Sequence, residues 1–99
     1  MKTPDQKAER VFLIGAELKQ EGEIRVRETM EELAELAVAA GATIVGEGTQ
    51  KITRPHVATF IGKGKAAELA EIAHQGEADT VIFDDELSPA QTRNLERVF

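Results

Sequence analysis

Four large apolar residues follow one another in Val11-Phe12-Leu13-Ile14, with Arg10 before them and Gly15 after. A strand with one wet face alternates apolar and polar residues, so an unbroken run must be buried on both faces, as strands of parallel sheets are. Helices must then cover both sides of it, and the chain supplies them. Over residues 25–40 the apolar Val26, Met30, Leu33, Ala37 and Ala40 recur at helical spacing, with Glu28, Glu31, Glu32 and Glu35 gathered opposite. Gly41 stands where a helix C-terminus takes a left-handed residue.

The rest of the chain repeats this alternation. Residues 42–46 predict a second strand and residues 48–55 a connection. The run Val57-Ala58-Thr59-Phe60-Ile61 predicts a short third strand. Gly62-Lys63-Gly64-Lys65 then opens a helix with Ala66, Leu69, Ala70 and Ala73 on one face, stopping at Gly76. Residues 80–83 predict a fourth strand. In Ser88-Pro89-Ala90-Gln91 the serine can cap a helix, the proline lacks only an N–H that the first turn leaves free, and the glutamine can complete a capping box. The expected fold class is therefore α/β, a single domain with a mostly parallel four-stranded sheet and helices on both faces. Residues 1–9 are expected as a flexible arm and residues 10–99 as the domain. The last helix reaches Val98-Phe99 without a stop signal, which suggests that the chain is the front of something longer.

Ninety-nine residues, 41% hydrophobic and 30% charged, suit one globular domain rather than a two-domain enzyme or a disordered chain. No run approaches the roughly 18 apolar residues of a membrane span, and the first ten residues have no apolar stretch that could serve as a secretory signal. A cytoplasmic protein without a membrane partner is expected. The absence of cysteine removes disulfides, cysteine nucleophiles and thiolate metal sites, and the two histidines, His56 and His74, stand far apart in the sequence. With no Trp, no Tyr and four Phe, aromatic platforms for stacked bases are nearly excluded.

The net charge of −6 conceals an asymmetry. Residues 51–65 hold Lys51, Arg54, Lys63 and Lys65 and no acid, +4 in 15 residues, while the other 84 residues carry −10. A local patch of this kind can meet phosphate whatever the total charge. The Gly62-Lys63-Gly64-Lys65 turn is the strongest candidate within it, since glycines let backbone approach an oxyanion and a helix start presents free N–H groups. It matches neither G-x-x-x-x-G-K-[ST] nor G-x-G-x-x-G. His56, in Arg54-Pro55-His56, is a further candidate phosphate or base contact when protonated. Asp84 and Asp85, at the end of the last strand, are weak candidates for a divalent ion; acids ahead of a helix also suit its macrodipole without any metal. No catalytic triad or catalytic carboxylate pair is discernible, so no catalytic residue is expected.

Several strings resemble the N-terminal domain of HflX-type GTPases. They are Arg10-Val11-Phe12-Leu13-Ile14-Gly15, Glu31-Glu32-Leu33-Ala34-Glu35-Leu36-Ala37, Arg54-Pro55-His56 with Thr59-Phe60-Ile61-Gly62-Lys63-Gly64-Lys65, and Phe83-Asp84-Asp85-Glu86-Leu87-Ser88-Pro89-Ala90-Gln91 with Arg93-Asn94-Leu95-Glu96. The resemblance implies an α/β domain that precedes a helical hairpin and a GTPase domain in a protein that binds the large ribosomal subunit. It implies ribosomal RNA contacts at Arg54, His56, Gly62, Lys63, Gly64 and Lys65, and alternatively adenine-nucleotide binding at the same turn or a regulatory packing on the GTPase domain. The phosphate-loop lysine and switch regions are absent, so GTP and Mg²⁺ belong to the parent protein and no cofactor is expected in this chain.

Overall fold

In the computed structural model the described residues are 8–20 and 22–99. Among these residues six elements follow one another: β1 (Arg10–Leu18), α1 (Glu23–Ala39), β2 (Thr43–Ile52), α2 (Lys63–Gln75), β3 (Thr80–Phe83) and α3 (Pro89–Val98). The sheet order is β2-β1-β3 with both pairings parallel. Residues 1–7 of the expected arm, and Glu21, lie outside the described residues.

The apolar run explains the layering. In β1 the side chains alternate between faces, so Val11 and Leu13 pack with Met30, Val26 and Leu33 of α1. Phe12, Ile14 and Ala16 point the other way, into a cluster with Ala66, Leu69 and Ala73 of α2 and Leu95 of α3. The chain leaves β1 toward one side for β2 and then crosses back to the other side for β3. Crossovers of one hand that run in opposite directions place their helices on opposite faces.

Among the described residues the sheet has three strands, not four, and the difference lies in residues 43–61. β2 continues past Gly46 to Ile52, because β1 offers a partner as far as Leu18. Gly46 and Gly48 are not turn residues but points of close approach. A Cβ at Gly46 would stand 2.9 Å from Cε2 of Phe12, and one at Gly48 would overlap the Leu69 side chain. Residues 57–61 then form a turn instead of a strand. His56 and Phe60 bond to each other, His56 N–H to Phe60 O at 2.8 Å and Phe60 N–H to His56 O at 2.9 Å. The turn closes with Phe60 in the left-handed region at φ 65°. Its ring lies edge-on to Phe83, centroids 5.4 Å apart.

The helix ends follow local chemistry. Gly41 adopts φ 94°, as expected, and the Ala42 N–H returns to Ala37 O at 3.0 Å. At the end of α2 the left-handed residue is Glu77, φ 55°, one position beyond Gly76. Arg10 accounts for this: its Nη2 donates to Gly76 O at 2.8 Å and its Nε to Glu77 O at 3.1 Å, so the guanidinium clamps the turn from the start of β1. Arg10→Ala should lower stability by about 1 kcal/mol, near the net value of ordinary hydrogen bonds because the site is exposed. Urea unfolding would show this as a lower midpoint at unchanged slope. Ser88 and Gln91 form the expected capping box.

Candidate nucleic-acid interface

All three parallel strands end at the same edge of the sheet, and α2 starts there. Open α/β sheets bind ligands outside this carboxyl edge. The acid-free segment contributes the end of β2, the connection 53–62 and the first turn of α2, and its cations share the edge with Glu17, opposite Lys51 in the register, and with Asp84 and Asp85 after β3. Lys19 joins them from the end of β1, where its N–H donates to Ile52 O at 3.0 Å. Arg54, His56 and Lys63 are exposed, whereas Lys65 is half-buried with its Nζ 3.5 Å from the Glu68 carboxylate. Lys63 is thus the less encumbered of the two turn lysines.

Gly62 and Gly64 play different parts. Gly62 is the N-cap of α2 at φ −58°, and its N–H donates to Oε1 of Gln50 at 2.7 Å. That donor is occupied by the protein itself. The N–H groups of Lys63, Gly64 and Lys65 have no helical acceptor in the first turn, and no side chain caps them. A Cβ at Gly64 would meet nothing within 4 Å, so this backbone faces open space.

Sequence reasoning placed the basic residues but missed what holds them. Gln91 is only 8% exposed and does three jobs. Its N–H donates to Oγ of Ser88 at 3.1 Å, its Oε1 accepts from Ser88 N–H at 2.9 Å, and its Nε2 donates to His56 O at 2.9 Å. Asn94, one turn on, donates from Nδ2 to Ala58 O at 2.9 Å. Thr59 is buried and donates from Oγ1 to Ile61 O at 2.6 Å. The capping box was legible as a local motif; that its glutamine also reaches a loop 35 residues away was not. Residues 50–57 line an open groove of about 670 Å³. A separate groove of about 360 Å³ between α2, β3 and α3 contains none of Lys51, Arg54, His56, Lys63 and Lys65.

At the end of β3 the Asp84 main chain and the Asp85 carboxylate both bond to β1. Asp84 N–H extends the ladder to Ile14 O at 2.8 Å, and Oδ2 of Asp85 accepts from Ala16 N–H at 3.4 Å. Among the described residues no group of three or more His, Cys, Asp or Glu could hold a metal ion. The 62–65 turn does not fit a GTP and Mg²⁺ site either: Gln50 closes its leading N–H, and Gly64 and Ala66, not Ser or Thr, follow its lysines. No described helix is long and apolar enough to cross a membrane.

Comparison with known proteins places the chain. Residues 27–99 match the family described as GTP-binding GTPase N-terminal. The GTPase HflX of Alkalihalophilus pseudofirmus is 41% identical over 87 residues, covering 88% of this chain and 20% of that protein. The GTPase HflX of Caldanaerobacter subterraneus subsp. tengcongensis is 49% identical over 69 residues, 70% of this chain and 16% of that protein. The GTPase HflX of Escherichia coli is 42% identical over 71 residues, 72% of this chain and 17% of that protein. The chain thus spans a fifth or less of the length of these relatives. With its parallel α/β sheet and these matches, the chain belongs to the GTP-binding GTPase N-terminal family, as an N-terminal domain of the HflX type.

Proposed function

We propose that this domain is the RNA-contacting module of a cytoplasmic, ribosome-associated GTPase and meets large-subunit ribosomal RNA through the basic edge of its sheet. The observation that carries the reading is that Lys51, Arg54, His56, Lys63 and Lys65 fall in one acid-free segment that runs along the carboxyl edge of an otherwise acidic domain. Phosphates are bound by such a patch through Coulomb attraction and counterion release. GTP hydrolysis is assigned to the rest of the parent protein.

The test is binding to large ribosomal subunits at a series of salt concentrations. The parent chain should lose affinity steeply as salt rises, and Lys63→Ala with Lys65→Ala should flatten the log–log slope by between about 1 and 2, one unit or slightly less per phosphate contact removed. The lower figure applies if the Lys65–Glu68 pair already weakens one contact. A double variant that matches the parent at every salt concentration would remove the 62–65 turn from the interface.

A further inference from the structure

Val57 is 91% exposed, more than any other large hydrophobic residue among those described. It does not sit on a frayed loop. The carbonyl before it, on His56, accepts from both Phe60 N–H and Gln91 Nε2, and the carbonyl after it, on Ala58, accepts from Asn94. The turn closes on a left-handed Phe60 wedged against Phe83. A non-glycine residue persists in that conformation only where its surroundings enforce it. The protein therefore holds an apolar side chain rigidly in solvent, and does so inside its most basic segment.

We propose that the groove lined by Lys51, Arg54, Pro55, His56 and Val57 receives an unpaired nucleotide of the bound RNA. Phosphate lies toward Lys51 and Arg54, and the flat face of the base packs on Val57 and Pro55. This deepens the RNA-binding reading above and rests on it. Phosphate alone would need only the cations. An unpaired nucleotide joins one phosphate to one apolar face, which is the combination the groove offers. Its volume of about 670 Å³ leaves room for one nucleotide at an open surface, since small-ligand sites run to roughly 300–1,000 Å³. Because Gln91 and Asn94 set the loop beforehand, little ordering entropy opposes binding.

The experiment compares fluorescently labelled RNAs of equal length, one a hairpin with an unpaired loop and one fully paired, titrated with the 99-residue chain. The parent should prefer the looped RNA. Val57→Ser should lower that preference by up to roughly tenfold, the scale of burying one valine side chain. Val38→Ser, at an exposed valine of α1, is the control for polarity alone. A Val57→Ser chain with the parent's preference, or with equal losses on both RNAs, overturns the nucleotide groove while leaving the basic patch intact. Absence of binding to either RNA by the parent would instead sink the underlying reading. Poly-glutamate bound as tightly as the looped RNA would overturn the proposal in favour of an acidic peptide.

Discussion

Phe12→Ala should destabilise the domain by about 3–5 kcal/mol, the usual range for removing a buried aromatic ring. Domains of this size have only about 5–15 kcal/mol in total, so the variant should retain little reserve. At roughly 4–8 °C per kcal/mol for a small domain, the melting temperature should fall by about 12–40 °C. Phe12 is 0% exposed in the central strand and packs against both helices of its face. Gly46 has no side chain because the ring stands there. The cavity would be bounded by strand backbone on one side and helices on the other, which limits collapse. Leu13→Ala, one residue on, opens onto Met30 of α1 instead. A flexible thioether can swing into the gap, so this loss should be the smaller of the two. Thermal and urea unfolding of both variants measure the difference. A loss below about 1 kcal/mol for Phe12→Ala would contradict the packing of α2 and α3 on β1, since methylene-scale changes alone reach that size.

Gln91→Ala should cost about 1–3 kcal/mol, combining the loss of the reciprocal half of the capping box, since the residue 91 N–H still donates to Ser88 Oγ, with a lost tether on the His56 carbonyl. The two contributions can be separated. Gln91→Glu keeps an oxygen for Ser88 N–H, in a first turn where negative charge is favourable, yet it has no donor for His56 O when ionised. It should therefore hold α3 while releasing the loop. Urea unfolding should place Gln91→Glu between the parent and Gln91→Ala. Amide exchange should speed up at residues 56–60 in both variants and at Ser88 only in Gln91→Ala. Slow exchange at 56–60 in Gln91→Glu would show that the Phe60 bridge suffices without α3.

The parts of the fold legible in the sequence are those whose partners lie within a turn or two. The helix of residues 25–40 announced itself by spacing and by Gly41, and the capping box by Ser88 and Gln91. The two-faced burial of β1 was legible because a strand's own periodicity reports how many of its faces are covered. The basic edge was legible for a related reason: charges close in sequence stay close in space, and surface charge needs no partner to persist.

Tertiary structure decided the rest. Val57-Ala58-Thr59-Phe60-Ile61 has the composition of a strand, but a strand exists only where a neighbour supplies its hydrogen bonds. Here β1 is already paired on both sides, by β2 and β3, and the segment bonds to itself and to α3. Gly46 and Gly48 read as breaks, yet they mark where Phe12 and Leu69 pass over the sheet, a fact set by residues 34 and 21 positions away. The sequence determined an α/β domain with one basic segment. Only the packing of α3 under that segment decided that it would be a rigid, apolar-tipped loop, because the donors that hold the loop come from another element of the fold.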